Sequence, residues 1–247
     1  MSARSDERVL VLTCEHGGHA VPAAYRALFR GHEARLKSHE GWDPGALELA
    51  RELRRKLSRV LPTTLVTATT TRLLIDLNRS ATNPRAFSSI VRALSWSERT
   101  GIVWRHYLPH LTAVVTPIAE AHHRGATVVH LGVHSFTPVL RGARRDFEIG
   151  LLYDPKRPGE RRFCDAWRAA LARTAPELRV RRNAPYRGTS DGLTTILRRR
   201  FDDRYLGIEL EVNQTIPLRG GQAWSGLCRT IAKALAQVLQ SQDWDPS

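Results

Sequence analysis

The feature that most constrains the fold is an apolar, β-branched run within Thr127–Pro138 that leads into His134. The proline at its end breaks the strand. A histidine at the carboxyl end of a buried strand lies where open α/β sheets bind their ligands. Two further runs have the same form: Val9–His16 ends in a histidine, and Tyr205–Val212 carries carboxylates. The sequence therefore predicts an active site at one edge of a sheet.

Strand-like and helical patterns alternate along the chain, which predicts an α/β fold with a mostly parallel sheet covered by helices on both faces. Residues 81–94 are expected to form a loop, and a long helix is expected to bend at Pro109 or Pro117. With 247 residues and no repeat or linker, one domain over residues 1–247 is expected. The predicted strands are 9–13, 63–68, 72–77, 127–134, 147–153, 178–182 and 205–212, and the predicted helices are 22–30, 44–57, 97–124, 159–173, 193–201 and 223–240.

The chain is strongly basic, with a formal net charge of +14. Such a charge can attract nucleic acid or anionic substrates. Only four of the 38 basic residues are lysine, an arginine bias typical of genome-wide base composition. Many arginines lie on helical stretches, where they form solvated faces, and no aromatic-basic motif accompanies them. We therefore expect a small acidic substrate and not nucleic acid, although a basic binding protein stays open as an alternative.

The three cysteines, Cys14, Cys164 and Cys228, are odd in number and widely spaced. This pattern favours a reducing compartment without a disulfide framework. No apolar run reaches the roughly 18 residues of a membrane span, and Met1–Arg8 does not have the pattern of a signal peptide. We expect a cytoplasmic protein with no membrane partner; the sequence does not define the oligomeric state.

Two histidines at separate strand ends indicate a metal or acid–base site. A hydrolytic zinc site needs about three protein ligands and one open position for water. His16 and His134 can supply two neutral imidazoles, and either His19 or Asp43 can supply the third ligand. His19 gives the more compact spacing, whereas Asp43 offers an anionic oxygen. The ordinary structural role of Asp43 is to cap the helix that follows it.

The strand predicted at 205–212 supplies the candidate general base. Glu209 and Glu211 alternate with apolar residues and so share one face. Two carboxylates on one face of a buried strand are costly unless cations or a metal pair with them. Glu211 beside a metal could take a proton from water and deliver it to a leaving amine. Ion pairs with the surplus arginines are the alternative.

The strand predicted at 72–77 leads to Asn78 and Arg79. The planar fork of an arginine matches a carboxylate bidentately, so Arg79 is a natural clamp for an acidic substrate. Three arginines that follow His134 can add to this clamp: Arg141, Arg144 and Arg145.

At these residues the chain resembles the N-formylglutamate amidohydrolase family. The matching motifs occur in the family's order and cover nearly the whole chain. The segment His-Ser-Phe-Thr-Pro and the ending Glu-Val-Asn-Gln are the specific ones, whereas Glu-His-Gly-Gly alone is weak. The motifs are Glu15–Gly18, Trp42–Ala46, Asp76–Arg79, His134–Pro138, Asn183–Tyr186 with Asp191–Gly192, and Glu209–Gln214.

The family is related to the zinc carboxypeptidases and is similar to the aspartoacylases. The resemblance implies a three-layer α/β/α sandwich of the phosphorylase/hydrolase-like, zinc-exopeptidase type, with one zinc ion. It also implies hydrolysis of an N-formyl or N-acyl amide of an acidic amino acid. Carried over to this sequence, it makes His16 and His134 metal ligands, Asn78 and Arg79 the carboxylate clamp, and Glu211 the general base.

In the relatives, a ligand glutamate stands three residues after the first histidine, and here His19 occupies that place. We interpret Asp43 as the replacement, because it opens the next helix as that glutamate does. Arg145 and Tyr186 are expected to join the substrate-binding residues. A peptide or cell-wall amidase of the same fold is the alternative enzyme, since the motifs do not define the acyl group or the substrate.

Overall fold

The computed structural model of the chain describes residues 7–241 and 244. The segment 1–6, on which the expectation of no signal peptide largely rests, lies outside the described residues. Among the residues described, no helix combines the length and the apolar character needed to cross a membrane.

A six-stranded sheet in the order β2-β1-β3-β8-β6-β7 forms the centre of the molecule. Neighbouring strands are parallel except for the pair β6 and β8, which is antiparallel. A separate hairpin, β4 and β5, follows β3. The strands are β1 (Arg8–Cys14), β2 (Thr63–Thr67), β3 (Thr127–Phe136), β4 (Val139–Leu140), β5 (Ala143–Arg144), β6 (Ile149–Leu152), β7 (Val180–Arg182) and β8 (Tyr205–Asn213).

Helices cover both faces of this sheet. The nine α-helices of the described residues are α1 (Glu33–Lys37), α2 (Ala46–Leu57), α3 (Ser89–Arg92), α4 (Trp96–Ile102), α5 (Leu108–His123), α6 (Pro158–Thr174), α7 (Leu193–Arg198), α8 (Thr215–Arg219) and α9 (Gly221–Gln240). On one face α2, α6 and α9 pack against alternate strand residues such as Leu10 and Leu131. On the other face α5 and α7 pack against the remaining strand residues, which alternate with the first set and include Val9 and Val128. The α/β/α sandwich with a mixed, mostly parallel sheet is therefore confirmed.

The predicted strand 72–77 is wrong. This segment forms turns, and its backbone hydrogen bonds go to scattered loop carbonyls, for example from Arg72 to Gly41 and from Asp76 to Ala86. Its apolar side chains fill a separate cluster with Phe29 and residues of α3 and α4. Because loops surround the segment on several sides, its nearly continuous apolar pattern resembles that of a buried strand.

The long predicted helix 97–124 is divided. A π-helical turn, Val103–Tyr107, separates α4 from α5 and ends two residues before Pro109. Proline has no N–H and its ring excludes the carbonyl four residues earlier, so an irregular turn at this point has a clear cause. Pro117 lies inside α5 without interrupting it.

Two smaller predictions also need correction. The segment 81–94, expected to be a loop, contains a short 3₁₀ turn, Pro84–Ala86, and the helix α3. The predicted helix 22–30 is a 3₁₀ helix over Ala23–Phe29, and Pro22 precedes it instead of lying in its first turn.

Candidate active site

Three buried side chains converge at the carboxyl ends of β1 and β3. Oδ2 of Asp43 lies 3.3 Å from Nδ1 of His16 and 3.0 Å from Nδ1 of His134. One ligand atom from each residue lies within 4.8 Å of the others. Both imidazoles thus present the same ring nitrogen to one carboxylate oxygen, as expected for a shared metal position.

The backbone around Asp43 brings it to the histidines. Its N–H donates to the carbonyl of His16 at 2.9 Å, and the hydroxyl of Ser135 donates to the carbonyl of Pro44 at 2.8 Å. Asp43 does not take its alternative role as the cap of the next helix. That helix starts at Ala46, and the Asp43 carboxylate faces the histidines instead.

The opposite ring nitrogens of the two histidines are held by other carboxylates. Nε2 of His16 lies 2.7 Å from Oδ1 of Asp76, and Nε2 of His134 lies 3.3 Å from Oε2 of Glu15. Outer carboxylates of this kind orient imidazoles and fix the nitrogen that faces a metal. Arg72 joins the two aspartates, because it donates to Oδ2 of Asp76 at 2.7 Å and to Oδ1 of Asp43 at 3.4 Å.

These contacts strongly shift the ionisation of the cluster. Burial would lower the pKa of His134, but the hydrogen bonds to Asp43 and Glu15 and their charges outweigh burial and raise that pKa well above its usual value. Burial would likewise raise the pKa of Asp76, yet Arg72 and His16 hold that pKa well below its usual range. The buried carboxylates of Glu15, Asp43 and Asp76 thus favour a positive charge between them, which either a proton or a metal cation can supply.

The alternative third ligand, His19, is not part of this group. Its ring packs at a tilted angle against Trp42 with centroids 5.1 Å apart, and it is only half-buried. Among the described residues, the cluster with metal-ligand geometry consists of His16, Asp43 and His134.

Glu211 lies beside His134 because β8 pairs with β3 in parallel and these two residues are partners in the register. Its carboxyl group is buried, and Oε2 has no hydrogen-bond partner among the described residues. Burial, and then the negative charges of Asp43 and Glu209, raise the pKa of Glu211 to about 8, although His134 opposes this. In the metal-free protein, Glu211 is therefore largely protonated at neutral pH.

This ionisation makes a testable prediction for stability. Between pH 4.5, the ordinary value, and about 8, the folded protein keeps a proton on Glu211 that the unfolded chain releases. The free energy of unfolding of the metal-free protein should therefore fall as pH rises, relative to Glu211→Gln, by up to ~1.4 kcal/mol per pH unit. Urea unfolding in the presence of a chelator at pH 5, 6.5 and 8 measures the difference. Glu148→Gln is the control, and parallel curves for wild type and Glu211→Gln would contradict the prediction.

An open cleft of about 510 Å³ surrounds the cluster and is lined by Glu211, Glu209 and several arginines. Arg79 lines it and is anchored through Nε, which donates to Oδ2 of Asp76 at 3.2 Å. A cleft with fixed guanidinium groups favours an anionic ligand.

The other predicted substrate residues occupy different positions. Tyr186 lines the cleft and is exposed, whereas Arg145 lies behind it, donates to its hydroxyl at 3.2 Å and is absent from the lining. The side-chain amide of Asn78 is engaged within the protein: its nitrogen donates to Glu209 at 3.0 Å, and its oxygen accepts from the backbone of Leu193 at 2.7 Å. Asn78 therefore joins the loop that carries Arg79 to β8 and α7.

Sequence reasoning assigned no role to Asp76, Glu15 or Arg72, which hold the histidines and Asp43 in place. It also missed Asp191, whose carboxylate accepts from the side chains of Ser80 and Asn83 and so fixes the loop after Arg79. Glu15 and Asp76 each belong to a motif that was noticed. An acidic side chain within a segment of mostly buried residues was the sequence signal that could have indicated their role beside the histidines.

Comparison with known proteins identifies the family. The model of the N-formylglutamate amidohydrolase family matches residues 8–216, a range that includes His16, Asp43, His134 and Glu211. The chain belongs to the N-formylglutamate amidohydrolase family. Members of this family are hydrolases of amide bonds, and the cleft with its buried carboxylates accords with that class.

Solved structures of similar proteins agree with the fold of this N-formylglutamate amidohydrolase family member. The gene product Atu2144 of Agrobacterium tumefaciens is 33% identical, with a TM-score of 0.75 over 93% of this chain and 91% of that chain. An N-formylglutamate amidohydrolase from Ralstonia eutropha JMP134 is 21% identical, with a TM-score of 0.68 over 94% and 92%. Comparison with curated protein sequences gives no match.

Proposed function

We propose that the protein is a zinc-dependent amidohydrolase that cleaves an N-formyl or N-acyl amide of an acidic amino acid, with N-formylglutamate as the model substrate. The observation that supports it most is the convergence of two imidazole nitrogens and one carboxylate oxygen beside the buried Glu211. A catalytic zinc typically takes three protein ligands of this kind and keeps a fourth position open.

The donor set fits one zinc ion held by His16, Asp43 and His134. Ligand atoms placed tetrahedrally about 2.0–2.1 Å from zinc lie roughly 3.3 Å from one another. The two histidine nitrogens lie 3.3 and 3.0 Å from the Asp43 oxygen. The outer nitrogens of both rings are already held by carboxylates, so the rings need no reorientation to act as ligands.

When bound, zinc supplies a Lewis acid that polarises the acyl carbonyl and makes water more acidic. Glu211 accepts a proton from the attacking water and returns it to the amide nitrogen. The water oxygen bonds to the acyl carbon, the carbon–nitrogen bond breaks, and the amino acid leaves as an amine. A nearby dication also favours the charged form of Glu211, which burial disfavours in the metal-free protein.

Arg79 is the proposed contact for the substrate carboxylate, and Tyr186 adds a second polar contact in the cleft. Arg145 supports Tyr186 from behind, and Asn78 positions the loop that carries Arg79. These residues make an acidic amino acid the favoured leaving group, because a carboxylate matches the fixed guanidinium.

The proposal predicts that the zinc-loaded protein releases formate from N-formyl-L-glutamate faster than from N-formyl-L-leucine. Arg79→Gln should lower kcat/KM for the glutamate derivative by about 10–100-fold, since a hydrogen bond to a charged group is worth ~1.5–3 kcal/mol. The same substitution should change kcat/KM for the leucine derivative little, because its side chain has no carboxylate. Arg54→Gln, a change of an exposed arginine on α2, is the matched control. An equal decrease of kcat/KM for both substrates would contradict the proposed contact between Arg79 and the substrate carboxylate.

A further inference from the structure

A second cavity of about 400 Å³ adjoins the active-site cleft, and we call it the side groove. Its walls come from the segment after Arg79, from the end of α3, and from one face of α4 with the first residue of the π turn. It shares Asn83 with the cleft, so the two cavities meet at this residue. The residues that give the groove its character are Asn83, Phe87, Arg92, Trp96, Arg99 and Val103.

Trp96 gives the groove an exposed aromatic wall. The indole is 75% exposed, although burial of such a ring stabilises a fold. The backbone that carries the indole is nevertheless defined, because Ser95 and Glu98 form a capping box at the start of α4. Exposed tryptophans beside a cavity are frequent binding contacts, since they provide a large apolar area at low conformational cost.

The groove is also cationic. Arg92 and Arg99 line it, and no carboxylate is among its lining residues in the described chain. One guanidinium nitrogen of Arg99 donates to the carbonyl of Arg92 at 2.8 Å, which fixes its side chain along the groove. An occupant with one apolar side chain and one carboxylate matches this surface.

The groove continues from the part of the cleft that carries the substrate clamp. Arg79 and Asn83 belong to one loop, and Asp191 pins this loop through Ser80 and Asn83. In the proposed function, Arg79 holds the acidic residue on the amine side of the scissile amide. Atoms that extend from this residue past Asn83 would therefore belong to the leaving amine and not to the acyl group.

We propose that the side groove binds the second residue of an N-acyl dipeptide whose first residue is acidic. This inference rests on the proposed function and defines its substrate class. The side-chain carboxylate of the first residue meets Arg79, the apolar side chain of the second lies against Trp96 and Phe87, and the terminal carboxylate meets Arg92. Hydrolysis follows the same bond changes, and the dipeptide leaves as the amine with a proton from Glu211.

N-formyl-Glu and N-formyl-Glu-Phe form a matched substrate pair, because both release formate from the same amide. With the zinc-loaded full chain, we expect kcat/KM for the dipeptide to be about tenfold higher. Trp96→Ala should raise KM for the dipeptide and so remove this advantage, while kcat/KM for N-formyl-Glu should stay within about twofold of the wild-type value. Trp104→Ala is the matched control, since Trp104 is 67% exposed in the π-helical turn that follows α4 and does not line the groove. Equal kcat/KM values in wild type, or equal losses for both substrates in Trp96→Ala, would overturn the proposal.

Calorimetry with the product Glu-Phe separates this inference from the proposed function. An affinity for Glu-Phe that falls about tenfold in Trp96→Ala and severalfold in Arg92→Gln supports binding in the groove. If neither formyl compound is hydrolysed but this binding is seen, only the proposed reaction is contradicted. Binding of Glu-Phe that is unchanged in Trp96→Ala overturns the groove, whether or not N-formyl-Glu is a substrate.

Discussion

Glu211→Gln is expected to lower kcat for N-formyl-L-glutamate by about 10²–10⁴-fold, the usual contribution of a positioned general base. The glutamine keeps the shape of the side chain, so it fills the same buried space beside His134. It cannot accept the proton from water, and the step that delivers a proton to the leaving amine is lost with it. Zinc content, measured by mass spectrometry on the purified protein, should stay at about one ion per chain.

The comparison with Glu209→Gln makes this test specific. Glu209 lies on the same face of β8, also lines the cleft, and accepts a hydrogen bond from Asn78. As a residue that positions the Asn78 loop, it should affect kcat much less than Glu211 does. If Glu211→Gln lost zinc together with activity, Glu211 would be a metal ligand and the base would have to be sought elsewhere.

His16→Ala and His134→Ala are each expected to abolish stoichiometric zinc binding. Each substitution removes one of three protein ligands, and two ligands do not make a stable zinc site. Asp76→Asn should weaken zinc binding more moderately, by about 10–100-fold, because Asp76 is not one of the three proposed ligands and acts on the metal site by holding the ring of His16. Zinc competition with a coloured chelator measures all three affinities, and circular dichroism checks that each variant is folded.

His19→Ala and Asp43→Asn decide the identity of the third ligand. The structure brings Asp43 to both histidines and leaves His19 on Trp42, so the first variant should bind zinc normally and the second should not. The opposite pattern would contradict the proposed ligand set. If His16→Ala and His134→Ala both retained one zinc ion per chain, the proposed metal centre would be contradicted as a whole.

The sequence predicted the middle of the sheet well, because β1, β3 and β8 are buried on both faces and therefore form apolar runs in the sequence. The pairing of His134 with Glu211 follows from two such runs that become neighbours, and the predicted ends of those runs lie within two residues of the ends of β3 and β8. One domain over residues 1–247 and the cytoplasmic location stay predictions.

The segment around Asp76 could not be predicted in the same way. Its leucines and isoleucine are buried between loops, so they show no period that distinguishes turns from a strand. Asp43 is a different case. A carboxylate before a helix usually caps it, so the residues alone left both roles open, and it was the resemblance to the family that favoured Asp43 as a ligand. In the structure its carboxylate oxygen lies against both histidines.

The pairing of β3 with β8 also has a consequence for engineering. The distance between a proposed metal ligand and the proposed base is set by a ladder of backbone hydrogen bonds between two largely buried strands. The proposed substrate contacts come instead from surface segments, chiefly 79–99 and 186–192. Substrate specificity could therefore be changed by replacing those surface segments, while the sequences of β3 and β8 are kept unchanged.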